Sequence, residues 1–127
     1  MALSDQEQAR REKLAKIKAM GINPYPERYE VTHTLKEAAA LPDGEQNVRI
    51  AGRILAIRKL GKLTFIRLSD LEGDMQLALR KDVLGEELYN TFHSIIDIGD
   101  FIGASGEIFT TKTGEKTLRI DSYTFLG

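Results

Sequence analysis

The sequence predicts a mainly β domain: a five-stranded Greek-key barrel with a helix between strands three and four, preceded by a helical extension. Three observations carry this expectation. From Asn47 onward, apolar residues recur with a period of two, the spacing of strands that bury one face. Between Glu86 and Ile96 that alternation gives way to Leu88, Phe92 and Ile95 at helical spacing. Glycines also fall inside the first and fourth strand segments.

Length and composition bound the rest. A chain of 127 residues makes one domain with a short extension, which we place at residues 46–127 and 1–45. Hydrophobic residues at 42% and charged residues at 29% fit a soluble globular domain, and no apolar run approaches the roughly 20 residues of a spanning helix. The polar start, Met1 to Gln8, does not read as a secretory signal, and the lack of cysteine fits a reducing cytoplasm. Formal net charge is -1, which taken alone argues against a nucleic-acid binder. Its distribution argues the other way. The segment from Arg49 to Arg67 holds six bases (Arg49, Arg53, Arg58, Lys59, Lys62 and Arg67) and no acid, whereas residues 81–127 carry a charge of -4.

Element by element, Ser4-x-x-Glu7 has capping-box spacing and Gly21 followed by Pro24 and Pro26 supplies a stop, predicting a helix from about Asp5 to Met20. Its apolar positions are few (Leu14, Ile17, Met20), so it leans on the barrel or on a second subunit. Gly21-Ile-Asn-Pro-Tyr-Pro26 reads as an extended connector. Thr34-x-x-Glu37 opens a short second helix ending near Ala40, and Pro42-Asp-Gly44 is a turn. In the first strand Val48, Ile50, Ile54 and Ala56 face inward, with a bulge expected at Gly52. Ile66 and Leu68 mark the second strand, and Met75, Leu77 and Leu79 the third. After the helix come strands at about Phe101–Thr110 and Thr117–Leu126, joined by Thr111-Lys-Thr-Gly-Glu115. Three strands, a helix and two strands is the order of an OB-fold barrel. The helix argues against an SH3-like barrel.

A hairpin turn placed at Glu72-Gly73 pairs Leu68 with Leu77 and Ile66 with Leu79 on the core face. It also sets Phe65 opposite Arg80, Arg67 opposite Ala78 and Ser69 opposite Gln76 on the outer face. An outward aromatic ringed by arginine is what stacking of an unpaired base requires. Gln76 offers both donor and acceptor to a base edge. In the last connection Lys112 suits phosphate, while Glu115 is tolerated near a polyanion only if it accepts from a base N–H. Phe101, Glu107 and Phe109 share one parity and Ile102 and Ile108 the other, which leaves open which set faces out. His93 is expected to be exposed on the helix. With two distant histidines, no cysteine and no nucleophile elbow or phosphate loop, no active site or metal set is expected.

The segments Arg10-Arg-Glu-Lys-Leu14, Gly21-Ile-Asn-Pro-Tyr-Pro26, Ala51-Gly-Arg-Ile54, Gly61-Lys62 and Thr111-Lys-Thr-Gly-Glu115 closely resemble the N-terminal region of class II lysyl-tRNA synthetases. The resemblance runs from about Arg10 to the end of the chain. It implies an OB-fold domain that binds the anticodon of tRNA-Lys. It also implies base stacking by Phe65, base reading by Gln76 and Glu115, and a basic contact at Arg58 or Lys59. The other basic residues singled out (Arg49, Arg53, Lys62, Arg67, Arg80 and Lys112) are expected to neutralise RNA phosphates. The family enzyme continues into a catalytic domain that takes lysine, ATP and magnesium and assembles as a homodimer. None of that domain's motifs occurs here, so the chain alone is expected to be non-catalytic and without cofactor, either an excised domain or a stand-alone copy. An aspartyl- or asparaginyl-type anticodon domain, a general single-strand binder and a dimerising protein-interaction module remain as alternatives.

Overall fold

The computed structural model describes residues 29–127; the expected helix from about Asp5 to Met20 and the connector after it lie outside the described residues. The elements are α1 (Leu35–Ala39), β1 (Val48–Leu60), β2 (Leu63–Ser69), β3 (Asp74–Arg80), α2 (Lys81–Leu84), α3 (Glu86–Ile95), β4 (Phe101–Thr110) and β5 (Lys116–Phe125). The strands close into a barrel in the order β1-β2-β3-β5-β4. This is the expected OB-fold arrangement, with β3 and β5 parallel and the other pairs antiparallel. Closure depends on the 13-residue β1. Its first half, Val48–Arg53, pairs with β4, and its second, Arg53–Leu60, pairs with β2.

Period-two alternation builds the core. Val48, Ile50, Ile54, Ile66, Leu68, Leu77, Leu79, Ile102, Ile108, Leu118 and Ile120 are all fully buried, so Phe101, Glu107 and Phe109 belong to the outer face. α1 closes one end. Thr34 and Glu37 form the anticipated capping box, and Leu35 and Ala38 are buried in the core. α3 seats Tyr89, Phe92 and Ile95 there as well. Leu88, expected on the buried stripe, is exposed, because Tyr89 takes the inward position. Its hydroxyl finds a partner there by donating to the Gly61 carbonyl at 3.0 Å.

Two features of the strands differ from the sequence reading. The β2–β3 hairpin turns one residue earlier, which slips the pairing by two: Leu68 faces Met75, Ile66 faces Leu77, Phe65 faces Ala78, Arg67 faces Gln76 and Ser69 faces Asp74. Asp70 sets this register. Its carboxylate accepts from the backbone N–H of Glu72 at 2.8 Å and of Gly73 at 3.0 Å, closing the turn around Leu71-Glu72. Its other oxygen accepts from the Leu35 N–H at 2.9 Å, tying the turn to the start of α1. Burial works against the charge on Asp70, but these N–H groups outweigh it and hold the carboxyl below its usual range. A slip of two preserves every side chain's face, so the inward and outward sets survive unchanged.

The irregularity in β1 lies at Leu55 and not at Gly52: the register with β2 shifts between Ile54 and Ala56. The extra residue flips the parity beyond it, leaving Ala56 exposed and Ile57 partly buried. Gly52 has another role. It stands where β1 changes partner from β4 to β2, and a Cβ there would run into the Ser69 carbonyl oxygen.

Candidate nucleic-acid interface

In an antiparallel pair, residues directly opposite one another share a face of the sheet. One outer row therefore runs Arg58 (β1), Phe65 (β2), Ala78 (β3). Phe65 is partly buried and points away from the core, whose inward neighbours are Thr64 and Ile66. Phe65 and Ala78 line a groove of about 540 Å³. Phe65, Ala78 and Phe109 form its floor, and Lys62, Arg80 and Asp82 its rim. The two-residue turn Gly61-Lys62 sets Lys62 there, with Gly61 at φ 66 in the left-handed region that tight hairpins favour.

The same pairing separates Arg58 from Lys59. Arg58 sits opposite Phe65 and shares its face. Lys59 sits opposite Thr64, whose hydroxyl lies 2.7 Å from His93 Nε2 and 2.8 Å from the Tyr89 hydroxyl under α3. His93 is thus part of a partly buried network and not simply exposed. Its rings meet Tyr89 and Phe92 edge-on at 4.9 and 5.6 Å. Burial, and then the charge of Lys59, hold its imidazole below the usual value.

A second outer row runs Arg67 (β2), Gln76 (β3), Thr117 (β5). The β4–β5 turn brings Glu115 to its end. Thr111 pins that turn: its N–H donates to the Glu115 carbonyl at 2.9 Å, and its Oγ1 accepts from the Glu115 N–H at 3.1 Å. Arg67 Nη2 then donates to Glu115 Oε1 at 2.9 Å, with Asp74 a looser partner at 3.8 Å. Gln76 Nε2 donates to Thr117 Oγ1 at 3.1 Å, and Thr117 Oγ1 donates to the Glu115 carbonyl at 3.1 Å. Gln76 and Glu115, 39 positions apart in sequence, thus meet through Thr117.

The remaining basic residues divide. Arg80 faces Leu63, not Phe65, and makes a two-pronged pair with Asp82 at 2.9 and 3.1 Å. Arg49 and Arg53 lie on the β4-paired half of β1. Arg49 stacks on the Tyr29 ring at 4.7 Å; Arg53 stacks on Phe101 at 5.1 Å and donates to the Gly99 carbonyl at 3.2 Å. Lys112 is exposed in the β4–β5 turn. Two residues of this face were not singled out from the sequence. Phe109 was in one of two parity sets left open, and Thr117 needs the parallel β3–β5 pairing, which no local pattern reveals. Among the described residues no group of three or more His, Asp or Glu side chains gathers as a metal site.

The arrangement offers a stacking ring, base-edge acceptors and donors, and cations for phosphate. The tRNA anticodon family model, described as an OB-fold nucleic acid binding domain, matches residues 48–126. A lysine–tRNA ligase of Thermosipho melanesiensis is 44% identical over 115 residues, covering 84% of this chain and 23% of that protein. Those of Pediococcus pentosaceus and Bacillus subtilis are 41% and 38% identical, each covering 98% of this chain and 27% and 26% of theirs. The chain spans about a quarter of the length of these curated relatives.

Proposed function

Since the chain belongs to the OB-fold nucleic acid binding domain family of tRNA anticodon modules, we propose that it is the anticodon-binding module of a lysine–tRNA ligase and that it holds the unstacked anticodon bases of tRNA-Lys on the outer face of β2, β3 and β5. The carrying observation is the pair of adjacent rows: Phe65 flanked by Arg58, and beside them Gln76 and Glu115 joined through Thr117. Single-stranded loops are recognised by stacking bases on aromatic rings and reading their exposed edges. Phe65 supplies the ring, Glu115 accepts from a base N–H, and Gln76 bonds a neighbouring edge position. Arg58, Lys62 and Lys112 meet phosphates.

In this reading lysine, ATP and magnesium are handled by the remainder of such an enzyme, which works as a homodimer in the cytoplasm. The module's task is positional: recognition of the anticodon fixes where the rest of the tRNA lies.

Binding of a tRNA-Lys anticodon stem-loop to the Phe65→Ala variant tests the assignment. Removing one base–aromatic stack costs about 1–3 kcal/mol, so the dissociation constant should rise by about 5-fold to about 150-fold. Unchanged affinity in a folded variant would sink the stacking role. A general single-strand binder would bind loops of any sequence equally. Neutralising three phosphates gives a slope of log K against log salt near -2 for single-stranded RNA, at roughly 0.7 per phosphate.

A further inference from the structure

The acid-free run that ends at Arg67 invites a single role for all its cations, yet Arg67 is already committed. Its guanidinium lies between two carboxylates, Glu115 at 2.9 Å and Asp74 at 3.8 Å. A phosphate approaching this arginine meets a charge already matched, and must compete with a carboxylate fixed in place by its own backbone. Arg58, Lys62 and Lys112 have no ion pair among the described residues. We infer that Arg67 is a positioning residue for base recognition: it clamps one oxygen of Glu115 so that the other is aimed at a base N–H. The inference rests on the anticodon-loop reading of this face.

The geometry supplies the reason. A glutamate at the foot of a turn has several rotamers, and an unclamped carboxylate loses rotamer entropy when a base binds. Here the backbone of Glu115 is fixed by two hydrogen bonds with Thr111, and Oε1 is fixed by Arg67. Oε2 receives no hydrogen bond from another described residue and is free to accept from a ligand. Proton counting fixes Gln76 in the same way. The Thr117 hydroxyl spends its proton on the Glu115 carbonyl, so its oxygen must accept from Gln76 Nε2. The amide therefore turns its nitrogen toward Thr117 and its carbonyl oxygen away.

A carboxylate held this way is a filter. Uracil and guanine carry an N–H at the centre of their pairing edge and can donate to Oε2. Cytosine and adenine carry a ring-nitrogen lone pair there, which the carboxylate repels. Arg67 thus contributes to discrimination between bases, while the free cations contribute to affinity for any loop.

The test compares stem-loops that differ only in uracil or cytosine at the central loop position. They are titrated by fluorescence anisotropy against the full 127-residue chain and its Arg67→Ala variant over a range of salt. A hydrogen bond to a charged group typically accounts for about tenfold in affinity. Arg67→Ala should therefore lose about tenfold in uracil-over-cytosine preference, mainly by weaker binding of the uracil loop. Its salt slope should match that of the parent chain. Arg67→Lys, which keeps a cation within reach of Glu115, should restore part of the preference. Equal weakening of both loops, with a slope shallower by about 0.7, would make Arg67 a phosphate ligand and overturn the inference. Should the alanine variant not fold, Arg67→Met keeps the aliphatic stem packed and reads the same two quantities. Phe65→Ala separates the two levels of argument. If it binds both loops as well as the parent chain does, the anticodon reading has failed; if it weakens both while Arg67→Ala leaves the preference intact, only the positioning role has failed.

Discussion

The two halves of β1 carry basic residues at similar density, Arg49 and Arg53 in one and Arg58 and Lys59 in the other, and deploy them differently. In the half paired with β4, Arg49 and Arg53 lie over the rings of Tyr29 and Phe101. There they cover apolar surface and close the seam where β4 meets β1. In the half paired with β2, Arg58 stands beside Phe65, and no ring or carboxylate engages it among the described residues. The difference teaches that a run of bases in sequence is not an electrostatic footprint. Partner strands decide which cations remain available, and the bulge at Leu55 decides on which face they emerge. Gly52, near the junction, allows one strand to serve both partners.

The largest effect should come from breaking that junction. Gly52→Ala drives a methyl group into the Ser69 carbonyl and to 3.1 Å from the Leu68 side chain. Neither backbone nor fully buried leucine yields easily, so the cost should sit near the top of the range for overpacking, about 3 kcal/mol. A lower urea midpoint with an unchanged m-value would record it. A fall of less than about 0.5 kcal/mol, within the scatter of ordinary surface changes, would mean that the partner switch has more slack than the geometry shows. Next in size is the contrast between Arg58→Ala and Arg53→Ala. The first should weaken stem-loop binding and make the salt slope shallower by about 0.7, with little change in melting temperature. The second should leave the slope intact and lower stability by about 0.5–1 kcal/mol, the value of an exposed cation–π contact. An exchange of these two outcomes would reverse the roles assigned to the halves.

Asp70 explains why the outer face could be read from sequence while its pairing could not. Alternation fixed Phe65, Arg67 and Gln76 as outward, because a period of two survives any slip of two residues. The register itself depends on where the chain turns. That is decided by one carboxylate accepting three backbone N–H groups, one of them from α1, which lies 35 residues away in sequence. Likewise, Leu88 and Tyr89 fit a helical stripe almost equally well. The choice falls to the Gly61 carbonyl, supplied by a distant turn. Glu115 stood out as an acid in a basic neighbourhood, whereas its clamp needs the β2–β3 register and its link to Gln76 needs the parallel β3–β5 pair. The barrel and its local chemistry were legible; the registers and contacts set by residues distant in sequence were not.

The smallest expected effect probes the reverse side of the same strand, one residue from Arg58. Lys59 points toward α3, where burial and the lysine's charge both disfavour protonation of His93. A lowered folded-state value means that the unfolded chain takes up a proton first as the medium is acidified. This group's stabilisation is therefore complete above about pH 6.5, the unperturbed value, and declines as pH falls below it toward the folded-state value. Lys59→Gln removes the second cause and leaves the first. The imidazole value, followed by NMR titration of its ring protons, should rise while staying below 6.5, and the loss of stability on acidification should become shallower. Binding of the stem-loop should respond weakly, because Lys59 faces away from Phe65. If Lys59→Gln weakens binding as much as Arg58→Ala while the His93 titration stays where it was, Lys59 reaches the RNA face and the division between the two sides of β1 fails at this point.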